Sequence, residues 1–504
     1  GKNTYLVSTH PQQDSLLFTT SVTTLAIRDF TMYAKKVPFI AVGDAQVFPD
    51  SNKTTIRGNA DMDVLNRAKI QADTVNRFHN IDSVSIKIAG KFNVLGTGKY
   101  EYVDKKKNVQ KFFMNEIFIN KAHQLIGKSY IPDTIKFYVG PKIQFRGNAV
   151  LTSVVKNLEY DGYFLPIHTL PLPKTDWFRN AAVVNPDSVY INVKSPTKNM
   201  NQQTIYNGFN ISNDSAHVYT MFFTRKRNQS DPELLKVEGT LFYDEKNSEF
   251  KMGSFEKLFN NSHKGNLMVV NEEKKSITGE GRVKLGFETT KFEVSSAGQL
   301  NYSLIDTSFR MNLVMLLNFP FPMPALRAMY DSLTDQSLAA ETPKFDAPFL
   351  SKALAELVDD KNIKRVVEEI QEDNTIKLIN NLEKTIFISE LNMKWNPVTR
   401  SLQSDGDIGI NSFDKYKFER KVKGKMELIK RRSGDDFTLF IQSVAGSWYY
   451  FKFQKGVMYT VGSDALYNKL IKDNIDKISK KDDYKLRLAN ISAKNQFLRA
   501  SNKK

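Results

Sequence analysis

A single hydrophobic core rarely organises more than roughly 250–300 residues, so a chain of 504 residues has to be read as several parts. The absence of cysteine excludes disulfides, thiolate metal centres, iron–sulfur clusters and cysteine nucleophiles together. The formal charge of +17 suits an anionic surface or partner, but Lys and Arg are scattered and no RNA-recognition, helix-turn-helix or zinc-finger pattern occurs, so nucleic acid is not an expected partner.

The first residues are Gly-Lys-Asn rather than Met, which suggests a mature or excised segment of a longer parent. From about residue 20 to 320 apolar residues alternate with polar ones, and turn residues interrupt every eight to twelve positions; this predicts many short strands. In "TIKFYVG" the apolar residues Ile135, Phe137 and Val139 take one face, and "KIQF" continues the pattern with Ile143 and Phe145. "VEGTLFYDEKNSEF" predicts a hairpin turning at Asp244 to Asn247.

The tetrapeptide Arg-Gly-Asn-Ala stands at 57–60 and again at 146–149. Its residues carry no reactive pattern, so the repeat points to architecture. Glycine within strand-like text marks a bulge, a bend or a close approach of two backbones, and Gly96, Gly98, Gly239, Gly279 and Gly281 extend the theme. The expectation is a corner in stacked or folded-over strands.

At "LNFPFPMPALRAMY" Pro320, Pro322 and Pro324 end the strand pattern. Leu350, Leu354, Leu357 and Val358, then Ile363, Val366, Val367 and Ile370, follow at helical spacing and predict helices packed on the β body. Asn374 is placed to cap a further helix carrying Ile376, Ile379 and Leu382. Strands return from 391, punctuated by Gly434-Asp435-Asp436 and Ala445-Gly446, as a meander. A basic helical tail follows Ser463-Asp464, with Lys469, Lys472, Lys477, Lys480, Lys481, Lys485, Arg487, Lys494, Arg499, Lys503 and Lys504. No run of eighteen apolar residues exists, so no transmembrane helix is expected.

The predicted fold is therefore mainly β with a helical insertion: repeated short antiparallel strands, jellyroll-like or stacked, then a helical segment, a small β-meander and a helical tail. The expected parts are 1–170, a β-repeat region with both Arg-Gly-Asn-Ala corners, 171–324, a second β region, 325–390, helical, 391–463, the meander, and 464–504, the tail.

Chemistry is sparse. The histidines at 10, 79, 123, 168, 217 and 263 form no metal-binding spacing, and "VLGTGKY" lacks the first glycine and the final hydroxyl of a phosphate-binding loop. Asp405, Asp407 and Asn411 in "SDGDIGINSFD" sit near glycines but miss the calcium-loop order, because Gly409 falls on a ligand position. No catalytic, metal or cofactor residue is assigned, and no enzyme or cofactor is expected. In "SWYYFKF" alternation puts Trp448 and Tyr450 on one face and Tyr449, Phe451 and Phe453 on the other. Burial on both faces accounts for this; Trp448 and Tyr450 are also a candidate partner-binding platform.

Aspartate followed by Ser or Thr and then an aliphatic residue or Ala recurs, with hydroxyls at Ser15, Thr74, Ser83, Thr134, Ser188, Ser215 and Ser332. Such pairs suit turns. They also resemble the O-glycosylation acceptor sequence of envelope proteins from Bacteroidota, which makes these seven hydroxyls candidate attachment points. The segments "AVGDAQVFPDSNKTTIRGNADMDVLNRAKIQADTVNRFHNI", "GTGKYEYVD", "LEYDGYF", "GEGRVKLG" and "LNMKWNPVTRSLQSDGDIGI" resemble a family of very large, mostly uncharacterised envelope proteins of that phylum, over most of 20–460. The pattern of strand, Gly-Asn-Ala, strand and polar turn is also similar to the β-jellyroll repeats of OstA-like lipopolysaccharide-transport proteins. The resemblances imply a periplasmic or outer-membrane-associated location. They suggest a non-enzymatic scaffold or interaction component of outer-membrane assembly or protein secretion, with other envelope proteins as partners. The alternatives are a lipid- or lipopolysaccharide-binding conduit, with an apolar groove along the strands, and a glycan-binding or glycan-processing protein.

Overall fold

The computed structural model describes residues 4–287, 291–334, 346–373, 376–479 and 484–501. Alternating text becomes extended chain with one face buried: Val94–Val103 and Leu158–Pro166 bury every second residue, as a pleated strand covered on one side must. The protein is mainly β, with large antiparallel sheets and its helices gathered toward the C-terminal end. Backbone contacts divide it into two compact units, Gly1–His168 with Thr175–Asn192 and Thr197–Gln203, and Thr204–Lys504 with Thr169–Lys174 and Val193–Pro196.

The first unit holds a 13-stranded sheet. From Leu65–Ala72 through His79–Ile88, Val94–Val103, Val109–Ile119, Leu125–Ile131, Ile143–Thr152 and Leu158–Pro166 to Phe178–Val184, neighbours in sequence are neighbours in the sheet, except that Phe137–Gly140 pairs as a side branch with Ile143–Thr152. Sequential antiparallel pairing follows from short polar turns, which cannot cross over to a parallel partner. The inner face is filled with rings. Tyr100, Phe112, Phe137, Tyr160, Phe145, Phe164 and Phe178 form a chain with centroids 4.9 to 6.1 Å apart. Tyr102 joins it at Phe137 and donates its hydroxyl to Val139 O at 2.6 Å. All eight are buried. A separate three-stranded sheet, Val22–Ala26, Thr31–Lys35 and Lys53–Ile56, belongs to the same unit.

The second unit is layered. One long sheet runs from Gly239–Asp244 to Val457–Gly462, and Lys485–Leu488 adds a parallel edge strand to it. On one face lies a smaller sheet containing Thr204–Ile211, Val218–Thr224 and Glu233–Lys236; Phe209 and Leu235 close over Gly279, where a Cβ would meet each at 2.6 Å. On the other face lie the helices Ala347–Ala355 and Asp360–Asp373, inserted between the paired strands Phe309–Asn318 and Ile386–Asn396. Their apolar stripes pack on Ala297, Val314, Leu316 and Phe387, as the helical spacing predicts. Each fully buried Leu, Ile, Val or Phe contributes about 1.5–3 kcal/mol. Asp346 caps the first of these helices by accepting Phe349 N–H at 3.2 Å.

Three expectations need correction. The Arg-Gly-Asn-Ala at 146–149 is not a corner: it lies within the unbroken strand Ile143–Thr152, where Gly147 meets Gly162 and the apolar residues Val150 and Leu151 continue the extended run. Ile376, Ile379 and Leu382 are buried in this same cluster, but the backbone there is irregular and closes only one turn, at Leu382 N–H to Ile379 O. A segment this short does not repay helix nucleation, and strapping it onto the sheet buries the same side chains. Asn374 lies outside the described residues. The tail, in turn, is not helical throughout. Lys485–Leu488 is a strand between the helices Ala465–Ser479 and Ile491–Ser501, pinned by buried Tyr484 and Leu486. Lys480, Lys481, Lys503 and Lys504 lie outside the described residues.

Candidate functional site

The aromatic strand Trp448–Gln454 divides its faces as alternation predicts. Tyr449 packs against Tyr467 of the helix Ala465–Ser479, with centroids 4.8 Å apart. Tyr450 lies under Phe497 of the final helix and is 2% exposed, and the Lys494 ammonium stands 4.2 Å from the Trp448 ring centroid. The platform that Trp448 and Tyr450 would offer a partner is thus occupied by the chain's own C-terminal helix. Burial on both faces is what the strand shows.

An open surface lies on the same face of the long sheet. Register aligns Thr278, Asn301, Arg310 and Lys394 in one cross-strand row, and Glu280, Gln299, Asn312 and Asn392 in the next. Farther along the same strands the face turns apolar at Ala297 and Val314 and disappears under the inserted helices. The polar rows are therefore the part of this face that the helices leave uncovered. Here a pocket of about 370 Å³ opens, and the buried Asn312 Oδ1 has no hydrogen-bond partner among the described residues.

Glu280 fixes the boundary. Its carboxylate meets Lys257 at 2.6 Å and Lys352 at 3.0 Å, and all but 12% of its side chain is buried. Burial alone would raise its pKa, but the two ammonium groups outweigh burial and hold the carboxyl below the usual range. The triad ties the helix Ala347–Ala355 and the loop helix Phe255–Phe259 to the strand Ser276–Val283. Removing one partner of such a buried group costs about 3–5 kcal/mol, so its role is to hold the floor in place.

Along the same strand, past Glu280, the sheet face becomes a cationic cleft of about 790 Å³ lined by Lys226, Lys236, Lys264, Arg282 and Lys284 together with Glu233, Glu238 and Glu356. The pairing strand Leu267–Asn271 stops opposite Glu280, so Arg282 and Lys284 run beyond it into the open. Every acid lining the cleft is engaged: Glu233 with Lys226 at 2.9 Å, Glu238 with Lys236 at 3.0 Å and Ser195 N–H at 3.2 Å, Glu356 with Gly265 N–H. Burial pushes the Glu238 carboxyl up, and these donors more than reverse it. Lys264 is bound to Asp360. Arg282 and Lys284 are exposed and make no ion pair among the described residues. The cleft is suited to hold an anion.

"GEGRVKLG" stands out in the sequence for its glycines and for the family resemblance, not for its charges. The period-two placement of Glu280, Arg282 and Lys284 was the available signal, since it puts all three on one face.

The seven Asp-Ser/Thr hydroxyls differ in access. Ser15, Thr74, Ser83 and Thr134 are exposed, Ser15 and Ser83 at left-handed φ of 54° and 51°. The preceding aspartate serves the turn: Asp73 accepts Val75, Asn76 and Arg77 N–H. Ser188 is half-buried, and Ser332 is half-buried with its hydroxyl donated to Ser447 Oγ at 2.9 Å. Ser215 requires a correction: it is fully buried, its Oγ accepts Lys430 N–H at 2.7 Å and its carbonyl accepts Trp395 Nε1–H, so no glycan can reach it in the folded protein.

His79 is buried with both ring nitrogens engaged. Nε2–H donates to Val155 O at 2.8 Å, which leaves Nδ1 to accept the Tyr100 hydroxyl at 3.0 Å. Asp405 pairs with Lys394 at 3.1 Å beside the polar rows, while Asn411 is buried within a strand, so the "SDGDIGINSFD" acids and amide do not converge. No cluster of metal-ligating side chains occurs among the described residues. No family model, no curated protein and no solved structure matches the chain.

Proposed function

We propose that the chain is a non-enzymatic component of a Bacteroidota cell envelope, periplasmic or attached to the outer membrane. In this reading it is a scaffold or interaction part of outer-membrane assembly or protein-secretion machinery. Its docking surface is the polar and cationic face of the second unit, and its partner is an acidic protein surface. The observation that carries the proposal is the cleft in which three carboxylates are engaged and Arg282 and Lys284 have no ion-pair partner among the described residues, beside a floor of asparagine and glutamine. Unpaired cations at the rim of a polar patch steer acidic partners and fix their register. The conduit alternative predicts an apolar groove along residues 20–170; the buried chain of rings from Tyr100 to Phe178 supports the scaffold reading over it.

The test is cross-linking of the protein in native envelopes followed by mass spectrometry. A stoichiometric protein partner cross-linked through Lys236 or Lys284 is expected, and the double reversal R282E/K284E is expected to weaken its capture about tenfold or more. Co-purification of lipid or lipopolysaccharide in stoichiometric amount without protein would overturn the scaffold reading in favour of the conduit.

A further inference from the structure

The three-stranded sheet of the first unit is built around "VTTLAIRDFTMYAK". Val22–Ala26 and Thr31–Lys35 pair in register, Leu25 opposite Met32 and Val22 opposite Lys35, and Lys53–Ile56 pairs on the far side. Ala34 and Thr54 are buried and anchor the base. At the other end the turn carrying Gly58 comes near Phe30, yet the apolar side chains stay exposed. Leu25 is 60% exposed, Ile27 76% and Phe30 73%, and all five residues of Val22–Ala26 are exposed or nearly so. Single exposed apolar residues are ordinary on a protein surface. Three large ones gathered at the tip of one projecting hairpin mark an interaction site.

The charges around the tip say what kind. Arg28 lies in the turn, and Lys35, Lys36 and Lys53 at the base, all exposed and without an ion pair among the described residues. Asp29 stands in the turn, and the nearby acids Asp50, Asp61 and Asp63 are paired with Arg67, Lys87 and Arg57. Lys35 and Lys53 stand directly opposite each other across two strands, an arrangement that like-charge repulsion disfavours in water. An anionic surface over this face relieves the repulsion. Four residues of extended chain separate Lys35's partner Val22 from Ala26, about 13 Å, while an interfacial segment buries its apolar side roughly 5–10 Å into the headgroup and acyl boundary. When the tip reaches that depth the lysines lie at headgroup level.

We propose that this hairpin is a membrane-docking finger: Leu25, Ile27 and Phe30 enter the interface of a bilayer whose anionic headgroups are held by Arg28, Lys35, Lys36 and Lys53. The finger does not depend on the scaffold reading, because it uses a different unit and a different ligand chemistry.

The experiment is co-sedimentation of the whole chain with vesicles of phosphatidylcholine and of phosphatidylcholine containing phosphatidylglycerol, at low and at physiological salt. Binding to the anionic vesicles, weakened by salt, is expected. I27S/F30S should lower the affinity about tenfold or more, the equivalent of losing one to two buried apolar side chains. K35Q/K53Q should lower it several-fold on anionic vesicles. Ile305 is equally exposed at 76% but precedes the acidic turn residue Asp306, and I305S should leave binding unchanged. Because every substituted side chain is exposed, circular dichroism and melting should be unaltered. The proposal is overturned if the unmodified chain does not sediment with anionic vesicles, if I305S is as damaging as I27S/F30S, or if the tip variants abolish self-association rather than vesicle binding.

Discussion

The two copies of Arg-Gly-Asn-Ala are identical in letters and opposite in structure. At 57–60 the tetrapeptide is an exposed turn: Gly58–Ala60 forms a single tight helical turn, with Asn59 and Ala60 in the left-handed region at φ 60° and 59°. Arg57 binds Asp63 through both oxygens, at 2.6 and 3.1 Å. At 146–149 the same residues run straight through the strand Ile143–Thr152. There Gly147 faces Gly162 on the neighbouring strand, and Arg146 lies over Trp177 and Tyr163 at 4.4 and 5.9 Å. The flanks decide the outcome. Two aspartates, which strands disfavour, follow the first copy at 61 and 63, whereas Val150 and Leu151 continue a β-branched and apolar run after the second. Glycine and asparagine admit both conformations; the surrounding pattern selects one.

The sharpest way to test this difference is to give each glycine a Cβ. At Gly147 the added carbon would stand 2.7 Å from Gly162 Cα and 2.8 Å from Asp161 O, at a φ of +132°. Both neighbours are backbone and cannot yield, so Gly147→Ala should destabilise the first unit by about 3 kcal/mol, from overpacking plus the disfavoured conformation. At Gly58 the nearest atom is Phe30 Cβ, 3.9 Å away, and Gly58→Ala should stay within about 0.5 kcal/mol. Urea unfolding of both variants measures the contrast. Equal effects would mean that the two strands at Gly147 and Gly162 do not meet.

This contrast also marks what was legible in the sequence. Alternation revealed the strands, and proline and helical spacing revealed the insertion, because these patterns are local. The role of each glycine was not local: a close approach depends on which strand arrives opposite, as Gly162 does to Gly147. Helix periodicity misled at Ile376, Ile379 and Leu382 because burial at every third residue also describes a strap over a sheet. The candidate site was less legible still. Glu280, Arg282 and Lys284 carry the boundary and the open cations of the cleft, but only the end of a neighbouring strand leaves the latter two uncovered. Alternation in "SWYYFKF" predicts burial on both faces, but nothing in it tells that Phe497, nearly fifty residues later, is what covers Tyr450.

A smaller, pH-dependent difference separates the two copies further. His79 donates to Val155 O, just past the strand that carries the second copy. Burial pushes its pKa below the ordinary value of about 6.5. The unfolded chain therefore takes up this proton more readily than the folded one, so the stability it contributes is complete above about pH 6.5 and falls as pH drops through the folded value. Lowering the pH from 7 toward 5 should reduce the hydrogen-exchange protection of residues 143–166, measured against the intrinsic exchange rate at each pH, while leaving the protection of the exposed turn at 57–63 unchanged. His79→Gln should remove this pH dependence. Protection lost equally at both copies would place the sensitive group elsewhere.

The smallest effect is a difference in sign. Ala60 sits at φ 59°, where its Cβ crowds the following carbonyl at a cost of roughly 1–2 kcal/mol. Glycine relieves that crowding but loses about 0.5–1 kcal/mol through the greater freedom of the unfolded chain. Ala60→Gly should therefore stabilise by a few tenths of a kcal/mol. Ala149 holds the equivalent place in the second copy, but it is fully buried in an extended strand with no crowding to relieve. Ala149→Gly should destabilise by about 1 kcal/mol, through lost apolar burial and weakened strand geometry. Denaturant midpoints of the two single variants, compared at one pH, give the answer. Opposite signs follow if each copy keeps its own backbone state, whereas a loss at both positions would mean that Ala60 is extended as well and that the tetrapeptide has a single preferred form after all.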